Sequence, residues 1–276
     1  MAITTLAGVI NGLIPGYYRG KELFSMTGIA PFDIGSSWYN AGYPPAATPN
    51  TSGLSGQTVV SNPAGFIFPD PPSGNTYLAA LVRCTNGSPT TAPQTSLYVI
   101  DRMWENSGLA LNTTAAQTIN SVAWPARDRN GSTNGDGVFF AAEVSGATTS
   151  FLGVTITISY TNSAGVAGRS ASTSVTGLSN QGRFYIGTLD AGDVGIRSIQ
   201  TATCSTASST GTIHLVAFRV IALFDISQPT DMSVDTDAFS LGMPQLWNGT
   251  TLQTLSILSG TTGTDGGPMN VFFTQG

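Results

Sequence analysis

The chain has 276 residues, only 9% of them charged, with a formal net charge of −5 and an isoelectric point near 4.6. A globular domain usually carries about 25% charged residues, so this surface must be covered mainly by Ser, Thr, Asn, Gln, Gly and the outer faces of strands. The chain has no basic stripe, which argues against nucleic-acid binding. Its 41% hydrophobic content argues against disorder. The longest apolar run is too short to cross a membrane.

The first segment combines a short apolar pattern with a proline stop. Leu6, Ile10 and Leu13 follow helical spacing and precede Pro15-Gly16, so we predict an amphipathic helix over residues 4–14. Such a helix either docks on its own domain or reaches a neighbouring subunit.

Residues 31–72 are rich in proline and aromatic residues and show no periodicity. Prolines favour extended segments, and large aromatic rings must be buried somewhere. We therefore predict an ordered, extended arm that lies either over its own sheet or on another subunit. In the second case the interface residues are the aromatic ones: Phe32, Trp38, Tyr39, Tyr43, Phe66 and Phe68. Deletion of residues 1–72 is then expected to leave a folded domain that no longer assembles.

Residues 76–226 consist of short strand-like runs bounded by Gly, Asn, Asp or Pro. The clearest is a hairpin in which Val154, Ile156 and Ile158 alternate with Thr and Ser, followed by a turn at residues 162–165. Nine strands are predicted: Thr76–Arg83, Ser96–Trp104, Thr118–Trp124, Gly137–Val144, Gly153–Tyr160, Val166–Thr176, Arg183–Thr188, Val194–Thr203 and Thr212–Phe224. This series predicts an all-β fold, an antiparallel β-sandwich or jelly roll. The last strand is apolar on both faces and is expected to be central.

The pattern predicts three segments along the chain. Residues 1–75 hold the short helix and the extended arm, and residues 76–226 form the sandwich domain. Residues 227–276 form a C-terminal extension, in which Asn248-Gly249 predicts a hairpin turn, so that the tail is either a small satellite hairpin or a terminal strand pair.

No catalytic motif is present. The one histidine, His214, lies in the most apolar strand, so we interpret it as a structural residue rather than the base of a catalytic triad. A pair of carboxylates for glycan cleavage is a weaker alternative, and the candidates are Asp101, Glu105, Asp128, Asp136 and Glu143. Carboxylates in loops are more often turn formers or surface charge.

Cofactor and metal sites are not predicted. One His and two Cys cannot supply a structural zinc site, and no glycine-rich phosphate loop with its lysine is present. The loops at residues 130–137 and 264–267 resemble calcium ligand loops only in part, so turn chemistry explains them better.

Two further features have alternative interpretations. An aromatic and basic group is either a carbohydrate-binding face or part of the core: Tyr98, Trp104, Trp124, Arg102, Arg127 and Arg129. Cys84 and Cys204 are either free or bridged. We expect free thiols because the N-terminus lacks the positive region of a secretory signal.

Several runs are similar to structural proteins of tailed-bacteriophage virions: TYLAALVRCTNGS, SLYVIDRMWENSG, WPARDRNGSTNGDG, VTITISYTNSAG and TIHLVAFRVIALFDIS. The resemblance implies a non-enzymatic virion protein that decorates or cements the capsid. It also implies the major capsid protein or other virion proteins as partners, and a homo-oligomer, expected to be a trimer. The alternatives are a receptor- or glycan-binding module of a tail fibre or similar adhesin, and a polysaccharide-degrading enzyme.

Overall fold

The protein is described here by a computed structural model that covers residues 3, 5–18, 24–27, 33–84, 94–146, 153–175, 181–207, 212–225, 233–258, 262–265 and 269–276. The strands are β1 Leu13–Tyr18, β2 Phe24–Thr27, β3 Ile34–Ser36, β4 Gln57–Thr58, β5 Thr76–Cys84, β6 Gln94–Glu105, β7 Leu109–Ala110, β8 Gln117–Thr118, β9 Val138–Gly146, β10 Val154–Asn162, β11 Arg169–Val175, β12 Phe184–Ile186, β13 Ile196–Cys204, β14 Thr212–Asp225, β15 Ser233–Thr236, β16 Gln245–Leu246, β17 Leu252–Leu258, β18 Thr262–Asp265 and β19 Met269–Gln275. The helices are α1 Leu6–Asn11, α2 Ala238–Leu241 and a 3₁₀ turn at Gly53–Ser55. The all-β prediction is confirmed.

The largest sheet closes on itself as a ring of six antiparallel strands. Its order is β12-β9-β14-β6-β17-β3, with the short strands β7 on β14 and β4 on β6. The seam joins β3 to the residues just before β12, through a bridge between Gly35 and Arg183 and a 2.7 Å hydrogen bond from Ser36 N to Gly182 O. Closure gives the sheet an inner face, which side chains fill.

Two further sheets pack on the outside of the ring. The sheet β11-β10-β13-β8 shares one apolar cluster with the ring, in which Ile156 and Ile158 contribute beside Phe140 and Leu215. The sheet β1-β19-β5-β15, with β16 on β5, shares a second cluster, whose members include Leu78 and Phe273. β2 and β18 pair separately. Among the described residues, the fold thus has two outer clusters, one cluster inside the ring, and a small one that includes Trp38 and Tyr39.

The strand predictions for residues 76–226 are largely confirmed. The hairpin of β10 and β11 runs in register from Val154↔Val175 to Tyr160↔Arg169, and the turn is closed by a 2.9 Å bond from Gly165 N to Asn162 O. β14 lies between β9 and β6, and its residues 213–218 are buried. Its apolar character on both faces is explained by the ring core on one side and the outer cores on the other.

Several element boundaries differ from the prediction, and two of the differences have a clear physical reason. The strand predicted at Thr118–Trp124 is reduced to β8, because Trp124 packs its ring into the first outer cluster while its Nε1 donates to Ser121 Oγ at 3.0 Å. The N-terminal helix covers only residues 6–11, since the chain then extends as β1 and pairs with β19. β1 is an edge strand, where Pro15 is tolerated.

Strands from all three predicted segments share sheets. β3 belongs to the N-terminal segment and β17 to the C-terminal one, and the two pair as neighbouring strands of the ring. β1 and β19 pair in the outer sheet, where β19 also pairs with β5. The turn at Asn248-Gly249 forms, with Thr250 N bonded to Trp247 O, but it joins β16 in one sheet to β17 in another. β16 and β17 therefore do not pair with each other across this turn: β16 pairs with β5, and β17 pairs with β6 and β3.

The aromatic residues of the predicted arm mostly complete the chain's own core. Trp38, Tyr39, Phe66 and Phe68 are all buried, whereas Tyr43 is 59% exposed. Phe32 lies outside the described residues. The structure thus favours the first of the two alternatives, an ordered segment over its own sheet, for the four buried rings. Their burial gives a physical reason to expect that residues 76–226 need this segment to fold.

Cys204 is a free, buried thiol in the first outer cluster. Burial raises its pKa. None of the helices within the described ranges has the length and apolar character needed to cross a membrane.

Candidate functional site

An ion cluster occupies the inner face of the ring around Arg102 of β6. Its Nη2 atom lies 2.5 Å from Glu105 Oε2 and 2.6 Å from Glu143 Oε2, and its Nη1 donates to Gln253 Oε1 at 3.1 Å. Trp38 covers the guanidinium, with the ring centroid 4.5 Å away. We call Arg102, Glu105 and Glu143 the ring cluster. Charged side chains are almost never buried unless paired in this way.

His214 lies at the edge of this cluster and is neutral. Its Nδ1 is 2.8 Å from Tyr39 Oη, and the histidine is buried. Burial, reinforced by the positive charge of Arg102, lowers the pKa of His214 to about 4. Burial also raises the pKa of Glu143, although Arg102 works in the opposite direction. The structural interpretation of His214 accounts for all of these contacts, and no groove opens onto them among those found at the described surface.

A second buried ion cluster surrounds Asp101, the neighbour of Arg102 in β6. Arg127 Nε lies 3.4 Å from Asp101 Oδ2, and Thr250 Oγ1 and Thr251 N each donate to the carboxylate at 3.3 Å. Arg127 also donates to the carbonyls of Val59 and Gly249. This guanidinium therefore connects its own loop to those at Val59 and Gly249, and its contact with Asp101 connects all three to β6 of the ring.

Asp128 organises the loop at residues 130–137. Its carboxylate accepts hydrogen bonds from five groups: Asn130 N, Ser132 N, Ser132 Oγ, Gly135 N and Asp136 N. These donors outweigh the effect of burial and lower the pKa of Asp128. Turn chemistry explains the loop, as predicted. Nowhere in the described ranges do three His, Cys, Asp or Glu side chains form a group that would hold a metal ion.

Four of the six residues predicted as a carbohydrate face or core are core, whereas Tyr98 is half-buried and Arg129 is exposed. Trp104 and Trp124 are buried with their ring centroids 6.1 Å apart, and the side chains of Arg102 and Arg127 are buried in the two ion clusters. The candidate carboxylates are likewise divided: Glu105 and Glu143 share Arg102, while Asp101 and Asp128 have separate partners.

The described surface has an open groove of about 370 Å³ where β3, β11 and β12 meet. Asp33, Ser172, Ser174, Tyr185 and Thr188 supply its polar lining. The Asp33 carboxylate, 18% exposed, lies 2.8 Å from Nη2 of the buried Arg183.

Two sets of hydrogen bonds fix the walls of this groove. Ser172 and Thr188 exchange backbone bonds of 3.3 and 2.9 Å, and Thr173 Oγ1 donates to the carbonyls of Tyr185 and Ile186. Sequence analysis did not identify this site. The local signal is weak, namely the alternation of Ser in RSASTSV, and one wall, formed by Asp33 and Ile34, comes from residues about 140 positions away along the chain.

Nearly half of the charged side chains whose burial the structure describes are withdrawn from the surface. Of these seventeen Lys, Arg, Asp and Glu residues, eight are buried: Asp101, Arg102, Glu105, Arg127, Asp128, Glu143, Arg183 and Arg219. The outer face of β10, β11 and β13 is correspondingly rich in hydroxyls, which occupy eight outward positions: Thr155, Thr157, Ser159, Ser170, Ser172, Ser174, Thr201 and Thr203. The described part of the surface is therefore poor in charge.

No protein-family model, no characterised protein and no solved structure matches this chain.

Proposed function

We propose that this chain is a non-enzymatic structural component of a viral particle, most simply a tailed phage, which it decorates or cements as a homo-oligomer on the capsid. The observation that carries the proposal is the withdrawal of charge into the ring and its flanking clusters. Protein interfaces are depleted of charged residues at their centres, because each charge that is covered must lose its hydration. A surface with few charges avoids that cost over a wide area.

The same surface is a liability for a free protein. Solubility normally relies on exposed charges of both signs, and a net charge of −5 on 276 residues supplies little of that protection. Assembly onto a larger scaffold removes the liability by covering the surface. The likeness of residues 76–226 to phage virion proteins agrees with this logic and supplies the location, the virion.

We further infer that the ring and the β11-β10-β13-β8 sheet, packed across the first outer cluster, form the two layers of a β-sandwich. For the interface, Tyr43 is the member of the predicted aromatic set whose ring is exposed, at 59%. The proposed oligomer is a trimer, because closed cyclic symmetry suits the local three-fold positions of a capsid lattice.

Immunogold electron microscopy of purified particles tests the proposal, with light scattering of the isolated protein beside it. We expect gold on the head surface, and a trimer mass at micromolar concentration. Unlabelled particles that contain no copy of the chain by mass spectrometry would overturn the virion role. Label confined to the tail fibres would replace the capsid position with the fibre one.

A further inference from the structure

The groove between β3, β11 and β12 has the chemistry of a ligand site that the proposed structural role does not use. Its volume of about 370 Å³ lies within the range of small-molecule sites. Backbone hydrogen bonds between Ser172 of β11 and Thr188, just after β12, hold its walls in place. The site is therefore already formed, and a ligand would not have to pay for ordering it.

The charges in the groove cancel. The Asp33 carboxylate is paired with Arg183 at 2.8 Å, and this guanidinium is itself only 5% exposed. A charged ligand would lose hydration here without gaining a new counter-charge. The site therefore selects against phosphate, carboxylate and ammonium groups and favours a neutral ligand.

The remaining polar groups are hydroxyls, which both donate and accept hydrogen bonds. Ser172, Ser174 and Thr188 present their side chains at the exposed rim. Tyr185 lies half-buried beside them and adds aromatic surface next to the carboxylate. A sugar ring has hydroxyls at its edge and C–H groups on its face. The hydroxyls of the groove and the Asp33 carboxylate can hydrogen-bond to the sugar hydroxyls, and the ring of Tyr185 can pack on the C–H groups.

A peptide strand fits this groove less well. Peptides commonly bind by adding a strand to a free sheet edge. At the groove, both backbone groups of Ser172 are already bonded to Thr188. The edge of β11 is thus closed where a peptide would need it.

We propose that this groove binds a neutral saccharide. The inference goes beyond the structural role and is independent of it, since a capsid protein with or without a glycan site would assemble in the same way. It places glycan recognition on the β11–β12 side of the fold rather than on the aromatic and basic group, four of whose six members are buried.

The test uses the purified full-length chain on an array of neutral oligosaccharides built from glucose, galactose, mannose and N-acetylglucosamine, with sialylated and phosphorylated glycans alongside. We expect at least one neutral oligosaccharide to bind and the charged glycans not to compete. Calorimetry with the best neutral oligosaccharide then compares two variants. Ser172→Tyr fills the groove and should weaken binding at least about tenfold. Ser170→Tyr, on the same exposed face of β11 but outside the groove, should leave it unchanged.

Thermal unfolding of both variants shows that each is folded before binding is compared. The proposal is overturned if no neutral oligosaccharide binds at millimolar concentration, if charged glycans bind preferentially, or if the two tyrosine variants bind alike. The glycan experiment measures binding by the isolated protein. A negative result there therefore leaves the virion proposal unaffected, and unlabelled particles would leave the saccharide proposal unaffected.

Discussion

Asp101 and Arg102 are neighbours in β6, yet each is the centre of a separate buried ion cluster. Successive side chains of a strand point to opposite faces. Arg102 therefore meets Glu105 and Glu143 on the inner face, while Asp101 meets Arg127 on the outer one. One strand thus carries two opposite charges through the middle of the fold, and each is neutralised by a different part of the chain.

Removal of Arg102 is expected to be strongly destabilising. Arg102→Met leaves two buried carboxylates without a cation, and breaking a buried ion pair in this way costs about 3–5 kcal/mol of unfolding free energy. The control is Arg197→Met on β13, where the side chain is exposed and the cost should stay below about 0.5 kcal/mol. Urea unfolding of both variants measures the difference.

The triple variant Arg102→Met, Glu105→Gln, Glu143→Gln removes the charges together with their cation. We expect it to recover most of the stability lost by Arg102→Met alone, because no uncompensated charge remains. A triple variant no more stable than the single one would show that the packing of Arg102 on Trp38, rather than its charge, carries the effect.

His214 predicts a specific dependence of stability on pH. Its folded pKa of about 4 lies below the usual value of 6.5, so the unfolded chain binds the proton more tightly and stability falls as pH falls from about 6.5 towards 4. Between pH 7 and pH 5 this group alone should cost about 2 kcal/mol.

The variant His214→Gln keeps a polar partner for Tyr39 but does not titrate. Its unfolding free energy should therefore change less between pH 7 and pH 5 than that of the wild type. All other ionisable groups are the same in both proteins, so the difference between the two pH profiles isolates the histidine. Parallel profiles would contradict the assignment of a neutral, buried His214.

The aromatic segment is expected to be essential for folding. Trp38→Ala removes a buried indole and should cost about 3–5 kcal/mol, whereas Tyr43→Ala, at a mostly exposed ring, should cost less than about 0.5 kcal/mol. A chain that begins at residue 73 should fail to give a cooperative unfolding transition. A stable, cooperatively folded fragment would show that the segment is an accessory arm after all.

Asp128 is expected to control the loop at residues 130–137. Asp128→Ala leaves several loop N–H groups without their acceptor and should cost about 2–3 kcal/mol. Asp136→Ala is the matched control, because that side chain accepts only from Asn130 Nδ2 among the described contacts. Chemical denaturation gives the stabilities, and amide exchange of residues 130–137 shows whether the loss is local.

Sequence patterns predicted the strands far better than their arrangement. The run at β14 is apolar on both faces, and this alone placed it in the middle of a sheet. Trp124 looked like the end of a strand, but its burial beside Trp104 is decided by tertiary packing. The contact of Gly35 with Arg183, which closes the ring, joins residues almost 150 positions apart and has no local signature.

Separation along the chain also hid the groove and the full ring cluster. Glu105 and Glu143 were identified as carboxylates, but their shared partner Arg102 was visible only once β6 and β9 were placed on either side of β14. Absence of periodicity in the aromatic segment gave no indication of where its rings are buried, because irregular chain packs by shape rather than by repeat.

The position of β17 between β6 and β3 sets the order of events during synthesis. β3 ends at residue 36 and β17 begins at residue 252, so at about 5–20 residues per second the ribosome needs on the order of 10–40 s to supply the missing strand. Until then the β17-facing edges of β3 and β6 stay unpaired, and exposed strand edges promote aggregation. We therefore expect chaperones that protect the nascent chain to raise the yield of folded protein in a heterologous host. A C-terminal truncation that removes β17 would leave the ring open between β6 and β3.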